Sequence, residues 1–217
     1  SDLNTYTYFI YADNGYFCTA SSPASVQSLQ APSGVSATAA VVDRGDSSGY
    51  FDVQISGLQV TTGTAQSYVA TNTGSGASIT VQNGDFLTSS ADQSVYGLAQ
   101  TWTVKACRTS DGNICSTDTA TISGTPVSTR ASIGQCTVGA ALAVNAPAND
   151  HGVTPDGYTV DFNEPFLGID HWVSNDSNGN AFTTTSTVPT SATQVRVKAT
   201  VQGHQDPTGA IADCTAQ

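Results

Sequence analysis

The chain has 217 residues, a formal net charge of −11 and only 11% charged residues, against about 25% in an ordinary soluble domain. Lys and Arg together number 6, which excludes the basic clusters that neutralise nucleic-acid phosphates. Glu164 is the single glutamate among 17 acidic residues, while Thr occurs 31 times and Ser 25 times. This scarcity of helix-forming Glu and Lys excludes a helical bundle.

The first predicted element is an aromatic β-strand at residues 5–11, a strongly β-forming segment. Large apolar groups occur at both odd and even positions, which predicts a strand buried on both faces. Two interpretations stay open: the strand completes the first sandwich of its own chain, or it inserts into a neighbouring subunit by β-strand addition. The residues expected to mediate assembly are Tyr6, Tyr8, Phe9, Ile10 and Tyr11.

A turn and a second short segment follow the aromatic strand. Asp13-Asn14-Gly15 is a hairpin turn signal and leads into Tyr16-Phe17. Ser22-Pro23 predicts the start of a single helical turn that runs to Leu29. We therefore treat residues 1–30 as an N-terminal β-segment.

Short strands with alternating polarity dominate the rest of the chain. In residues 50–58, for example, Phe51, Val53 and Ile55 lie on one predicted face. Such strands at regular spacing predict an all-β protein built of immunoglobulin-like β-sandwiches. The predicted strands are 31–37, 50–58, 67–70, 77–81, 94–98, 101–107 and 114–122, then 132–144, 158–162, 169–173, 182–188, 194–201 and 210–214.

The polar stretch at 123–129 interrupts this series, and we place a domain boundary there. The boundary predicts a first sandwich at 31–125 and a second at 126–217. The two halves also echo each other, because the segment from Trp102 to Cys107 resembles the one from Val195 to Thr200. Each is a penultimate strand with one basic residue between apolar ones, so we expect two copies of one fold.

Two segments of the first half resemble a known module. Ala31-Pro32-Ser33-Gly34-Val35, followed by Thr101-Trp102-Thr103-Val104-Lys105-Ala106, is similar to the Pro-rich opening strand and the Tyr-x-Val-x-Ala strand of fibronectin type III and related immunoglobulin-like modules. Trp102 stands where these modules usually carry Tyr, and their early buried Trp is not evident. The resemblance covers about 90 residues of the first half, and it implies tandem extracellular modules rather than a particular activity.

The five cysteines contain no C-x-x-C pair, so the pattern does not favour zinc or thioredoxin-like chemistry. Cys107 and Cys115 flank the turn signal at Asp111-Gly112, which predicts a bridge between the strands on either side. Cys136 and Cys214 lie near the start and end of the second half, and a Cys136–Cys214 bridge would join its first and last strands. Other pairings stay open.

The cysteines also bear on location, because disulfides indicate an oxidising compartment. Cys18 is left without an assigned partner; it could be free, buried or bonded to another chain. Position 1 is Ser rather than Met, which we interpret as removal of a leader. No stretch approaches the about 18 apolar residues of a spanning helix. We therefore expect a secreted, extracellular or cell-surface protein.

Two loop motifs have both a functional and a structural interpretation. Arg44-Gly45-Asp46 is an integrin-type adhesive tripeptide and is equally good turn chemistry. Asp176-Ser177-Asn178-Gly179-Asn180 spaces oxygen ligands as calcium loops do, although the residues that an EF-hand needs next are absent. A looser calcium site using Asp170, Asp176 and Asn178 stays open. Asn175 opens a glycosylation sequon.

The sequence offers no coherent catalytic set, because His151, His171 and His204 lie far apart and have no assigned nucleophile. We predict no catalytic residues, no enzyme activity and no cofactor other than the open calcium site. Trp172, Phe166 and Tyr158 could form a sugar-binding face or could be core residues.

The function we predict is that of an extracellular structural or adhesive protein, a self-assembling subunit of a cell-surface filament or coat. Its expected partners are copies of itself joined through the N-terminal strand, with glycans as a further possibility. A carbohydrate- or ligand-binding module is the alternative.

Overall fold

The computed structural model describes residues 3–13, 15, 18–21, 23–89, 93–108, 113–149 and 151–216. These residues form an all-β protein of antiparallel sheets, which confirms the predicted fold class. Within these ranges the helical structure is one 3₁₀ turn at Gln93–Val95, and no helix is long and apolar enough to cross a membrane.

The strands are named here in chain order. The first eleven are β1 (Leu3–Tyr8), β2 (Tyr11–Asp13), β3 (Cys18–Ala20), β4 (Ala24–Leu29), β5 (Ser36–Asp43), β6 (Tyr50–Gln59), β7 (Ser67–Asn72), β8 (Ser78–Val81), β9 (Gln100–Arg108), β10 (Ile114–Cys115) and β11 (Ala120–Gly124). The remaining eight are β12 (Val127–Ser128), β13 (Ser132–Gln135), β14 (Ala143–Asn145), β15 (Gly157–Asn163), β16 (Trp172–Val173), β17 (Gln194–Val201), β18 (His204–Gln205) and β19 (Ala210–Asp213).

The chain divides into two compact units. Unit 1 comprises residues 1–38, 55–85 and 101–122, and unit 2 comprises residues 39–54, 86–100 and 123–217. The sequence-based boundaries at 30/31 and 125/126 remain predictions.

The largest sheet of unit 1 is built around β9. Its strand order is β10–β9–β7–β8, and β11 also pairs with β9. Trp102, Val104 and Ala106 are buried on one face of β9, because they occupy alternate positions of a pleated strand. Val104 lies opposite Ala70 of β7.

The largest sheet of unit 2 is built around β17 in the same way. Its order is β16–β15–β17–β18, and β19 also pairs with β17. Burial alternates strictly along β17, where Val195, Val197, Ala199 and Val201 are buried and the residues between them are half-buried. The core includes Phe162, whose ring packs edge-on against Phe182.

The two sheets therefore share one arrangement. In each sheet, two central strands pair with each other, β7 with β9 and β15 with β17. The first of the two pairs on its other side with one edge strand, β8 or β16. The second pairs on its other side with the next two strands in the chain, β10 and β11 or β18 and β19. The strands that the sequence comparison pairs, β9 and β17, occupy the same place in this arrangement. This equivalence follows from alternation, since both strands present a row of apolar side chains to a core.

A third sheet has the order β12–β6–β5. Phe51, Val53 and Ile55 of β6 are buried, as the alternation predicts. Val127 of β12 is fully buried and lies opposite Phe51. The polar stretch at 123–129 thus contains a short buried strand, which a Pro- and Ser-rich composition does not indicate.

Three buried aspartates of unit 2 each form an ion pair with one arginine. Burying a carboxylate is costly unless it is paired and hydrogen-bonded, so these arginines are structural. The pairs are Arg44–Asp52, Arg130–Asp206 at 2.6 Å and Arg196–Asp161 at 2.7 Å.

Several predicted elements differ from the structure. The predicted strand 5–11 is divided between β1 and β2, and the predicted strand 132–144 is divided between β13 and β14. The predicted strand 31–37 begins only at Ser36, as β5, and the predicted strand 169–173 is reduced to β16. The helical turn before Leu29 is the strand β4, which pairs with β1. Residues 94 and 95 belong to the 3₁₀ turn and residues 96–98 continue as a turn instead of a strand. The Tyr96 side chain is buried there, and its hydroxyl donates to Asp52 at 2.9 Å. Within residues 182–188 only Thr187 forms a bridge, with Ala141, and residues 114–122 are split between β10 and β11.

Several sequence-based interpretations fall outside the described residues. These are the positions Asn14, Tyr16, Phe17, Ser22, Asp111 and Gly112, and the side chain of Cys18.

Two disulfides join neighbouring strands or strand ends. Cys107 of β9 and Cys115 of β10 are cross-strand partners with Cα atoms 4.0 Å apart. Cys136 and Cys214 are bonded with Cα atoms 4.6 Å apart and are separated by 78 positions in the chain. These are the same two pairs that the sequence analysis favours.

The two bridges are expected to contribute unequally to stability. The loop-entropy model assigns about 4.5 kcal/mol to a loop as long as that of Cys136–Cys214, and about 2.5 kcal/mol to the eight-residue spacing of Cys107–Cys115. Urea denaturation of the paired Ala variants Cys136→Ala/Cys214→Ala and Cys107→Ala/Cys115→Ala measures this difference. Equal losses, or a larger loss for the short loop, would show that native-state packing rather than loop length sets the contribution.

Candidate functional site

The N-terminal aromatic segment forms a sheet of its own. β1 pairs with β4 in antiparallel register, with Tyr6 opposite Val26 and Tyr8 opposite Ala24. Within the described part of the chain, this sheet has two strands and is separate from the larger sheets. Strand β1 therefore pairs with β4 of the same N-terminal region, and insertion into a neighbouring subunit remains a prediction.

The side chains of this segment are exposed. The exposed fractions of Tyr6, Tyr8, Phe9, Ile10 and Tyr11 lie between 49% and 71%. The expectation that the strand is buried on both faces is wrong within a single chain, because a two-stranded sheet offers no second layer to cover either face. We call these five residues the aromatic patch.

A second exposed apolar surface lies on a hairpin that extends from β15 and β16 of unit 2. Its tip carries Phe166, Leu167 and Ile169, which are 70%, 86% and 71% exposed. Phe166 and Ile169 each donate a backbone N–H to the other's carbonyl, both at 3.0 Å. We call residues 166–169 the apolar tip.

The turn of the apolar tip holds Leu167 in an unusual conformation. Leu167 and Gly168 have φ angles of 53° and 79°, the positive values that a two-residue hairpin turn of type I′ requires at both central positions. Asn-Gly and Gly-Gly suit such a turn, whereas a leucine in the left-handed region costs about 1–2 kcal/mol. The sequence thus places a large apolar side chain at the position where it is conformationally least favoured.

A buried asparagine anchors the base of this hairpin. Asn163, which is 1% exposed, donates its amide Nδ2–H to Asp170 Oδ1 at 2.9 Å and accepts the His171 N–H at 3.0 Å. The Glu164 N–H also donates to the His171 carbonyl at 2.9 Å. Both legs of the hairpin are therefore tied together directly below the tip.

The structure does not assemble the predicted sugar-binding face. Trp172 is half-buried, and the Arg196 guanidinium lies 4.6 Å from its ring centroid. Arg196 is itself fixed by two N–H bonds to Asp161. Tyr158 packs against the core, and burial raises the pKa of its hydroxyl. Of the three aromatics, Phe166 is the one that is largely exposed.

The candidate calcium ligands take part in separate internal hydrogen bonds. Asp176 Oδ1 accepts backbone N–H bonds from Asn178 and Asn180, both at 2.9 Å. These bonds, with that of Asn180 first, lower the pKa of Asp176. Asp170 instead accepts from Asn163. Across residues 3–216, wherever the structure describes them, no group of three or more His, Cys, Asp and Glu residues could hold a metal.

The Arg44-Gly45-Asp46 tripeptide is not presented as an adhesive ligand, because its arginine is engaged. Arg44 pairs with the buried Asp52 and donates to the Thr88 carbonyl at 2.6 Å. Asp52 also accepts hydroxyl bonds from Thr88 and Tyr96. Burial, followed by this hydrogen bond to Asp52, raises the pKa of Tyr96.

The histidines occupy unrelated places. His151 Nε2 lies 3.1 Å from the Ser94 carbonyl, and the His204 ring packs at a tilt against Phe51 with centroids 4.7 Å apart. His171 stays at the hairpin base. Asn175, the sequon residue, is exposed, and its glycosylation remains a prediction.

The surfaces that stand out are therefore apolar and lack catalytic side chains. The aromatic patch is evident in the sequence, whereas the apolar tip is not, because Phe166 and Ile169 have the character of strand or core residues. The signal that could have found it is Leu-Gly between two large apolar residues.

Comparisons with known proteins give little further help. No family model and no curated protein matches the chain. Two solved structures with distant similarity are a Ca²⁺-stabilised adhesin with which an Antarctic bacterium binds ice, at 12% identity and a TM-score of 0.31, and a 1.5-MDa bacterial ice-binding adhesin, at 13% identity and a TM-score of 0.25. The alignments cover 98% and 95% of this chain, which spans 57% of the first structure and 70% of the second. At this level of similarity we transfer no property of these adhesins.

The structural role assigned to Arg44 predicts an asymmetry within the tripeptide. Arg44→Ala leaves Asp52 buried without its counter-ion, so we expect a loss of about 3 kcal/mol in the free energy of unfolding. Asp46→Ala alters an exposed turn residue, and we expect a much smaller loss. Urea unfolding of the two variants provides the measurement. If Arg44→Ala is as stable as the unaltered chain, Arg44 has no structural role and is available for an adhesive one.

Proposed function

We propose that this chain is an extracellular structural and adhesive protein that joins copies of itself through the aromatic patch. The observation that carries the proposal is the exposure of five large apolar residues on a segment whose β1 strand belongs to a sheet of two strands. A filament or coat is the assembly that such end-to-end joints would build.

Within the described residues, the sheet of β1 and β4 has no third strand on either edge and no layer on either face. An isolated pair of strands is marginally stable in water, and an unpaired edge presents free N–H and C=O groups to another chain. Strand addition from a neighbouring copy would satisfy those groups and cover Tyr6 and Tyr8. Tyrosine suits such joints because its ring contributes apolar area while its hydroxyl stays hydrated.

The architecture supports the modular part of the proposal. The shared orders β8–β7–β9–β11 and β16–β15–β17–β19 match the order of the C′, C, F and G strands of immunoglobulin-like modules. We therefore interpret the chain as two such modules in tandem. Two disulfides fit the oxidising conditions outside the cell.

The geometry gives less support to a carbohydrate-binding module. A sugar-stacking platform needs open aromatic faces, and Arg196 covers one face of Trp172. Self-assembly is the function that the exposed surfaces favour.

Self-assembly predicts that the molar mass measured by light scattering rises with protein concentration. Removing residues 1–11, or making the paired change Tyr6→Ser/Tyr8→Ser, should leave a monomer, because the joint loses its apolar contacts. Added salt should promote assembly of the unaltered chain, since it screens the repulsion between copies that each carry a net charge of −11.

Ile211→Ser is the matched control, because it removes an exposed apolar side chain from β19, outside the aromatic patch. It should assemble like the unaltered chain. A monomer at the highest concentration and salt tested, or assembly that survives loss of residues 1–11, would defeat the proposal.

A further inference from the structure

We propose that the apolar tip is a membrane-contact element that inserts Phe166, Leu167 and Ile169 into the interface of a zwitterionic phosphatidylcholine bilayer. This inference concerns unit 2 and does not depend on assembly through the aromatic patch.

The form of the tip favours contact with a membrane. Three of its four residues are large and apolar, and all three are at least 70% exposed. They lie at the end of a hairpin closed by a two-residue turn, so they project together from its end. A projecting apolar turn fits a soft medium that closes around it, such as the boundary between lipid headgroups and acyl chains.

The placement of a leucine at position 167 indicates a functional rather than a stabilising role. A positive φ at this position favours Asn or Gly, and either would close the turn with less strain. Leucine gives the turn no compensating contact, since it is the most exposed of the large apolar residues described. Backbone strain that stability does not explain is characteristic of functional sites.

The base of the hairpin is held rigidly below the tip, which favours binding. Asn163 ends the first leg of the hairpin, is almost completely buried and bonds to Asp170 and His171 of the second leg. A fixed hairpin loses little conformational freedom when it docks, so more of its apolar contact contributes to affinity.

The negative charge of the hairpin base and of the whole chain determines which lipid the tip favours. The base of the tip carries the acidic Glu164 and Asp170, and the chain as a whole carries a net charge of −11. These charges oppose an anionic surface. The outermost group of phosphatidylcholine is instead a trimethylammonium cation. An open depression of about 370 Å³ beside the tip, lined by Glu164, Pro165, Phe166, His171 and Ser191, offers that cation a carboxylate and an aromatic ring.

The test is flotation of the full chain with phosphatidylcholine vesicles, from which a partition coefficient is obtained. The unaltered chain should float with the vesicles. Leu167→Asn should lower the partition coefficient at least tenfold and should leave the melting temperature equal or higher, because asparagine suits the turn. That combination separates loss of binding from loss of folding.

A matched pair of variants controls for general apolarity. Ile169→Thr and Ile211→Thr make the same change at two exposed isoleucines of unit 2, one at the tip and one on β19. We expect the first to weaken binding severalfold and the second to leave it unchanged. Glu164→Gln should weaken binding to phosphatidylcholine, and adding phosphatidylserine to the vesicles should do the same.

Two outcomes would overturn the proposal. One is a chain that does not float with phosphatidylcholine vesicles. The other is a Leu167→Asn variant that binds as well as the unaltered chain. If Leu167→Asn instead lowers the molar mass measured without vesicles, the tip contacts a second copy of the chain, and the membrane assignment is wrong.

Discussion

The burial of three aspartates is the constraint on which the arrangement of unit 2 depends. Asp52, Asp161 and Asp206 lie in β6, in β15 and just after β18, where they are shielded from solvent. An uncompensated carboxylate in such a place would cost several kcal/mol, so each must hold one arginine in a fixed position. Arg130 shows the consequence, because it also donates to the Ser47 carbonyl and to the Thr208 hydroxyl. One ion pair thus ties together three separate loops of unit 2.

These pairs take up a large share of a small resource. The chain has six basic residues, and three of them are committed to buried carboxylates. Lys198, a fourth, donates to the Pro207 carbonyl at 3.2 Å. The surface that remains is strongly acidic and rich in Ser and Thr. Attraction to anionic partners is therefore weak, and close contacts must rely on backbone pairing or on apolar side chains.

Alternation along the sequence predicts the central strands of the two largest sheets, β7, β9, β15 and β17, but not β4, β5 or β12. The segment 194–201 matches β17 residue for residue, because every second side chain is apolar and the core needs that row. The same rule hides the buried carboxylates. Asp52 occupies a polar position between Phe51 and Val53, where alternation assigns it to solvent, and its partner Arg44 becomes apparent only when the hairpin is folded.

The two surfaces proposed to be functional were unequally visible for a related reason. Aromatic crowding in residues 6–11 is a compositional signal, and it indicates the segment without showing whether its faces are covered. The apolar tip has no compositional signal, because Phe166 and Ile169 resemble core residues of a strand. Their exposure depends on the turn at Leu167 and Gly168. Backbone hydrogen bonds between Phe166 and Ile169 close the hairpin there, and the tip side chains remain exposed.

The aromatic patch and the apolar tip together suggest how an acidic chain can associate without basic residues. Within each named surface every residue is uncharged, since acidic side chains at these positions would oppose both copies of the chain and apolar media. The patch combines aromatic side chains with a strand edge, which favours a partner that contributes a backbone. The tip has no edge to offer, since its backbone groups at Phe166 and Ile169 bond to each other. A surface that needs no hydrogen bonds from its partner is suited to lipid, and this difference is the reason for proposing different kinds of contact for the two surfaces.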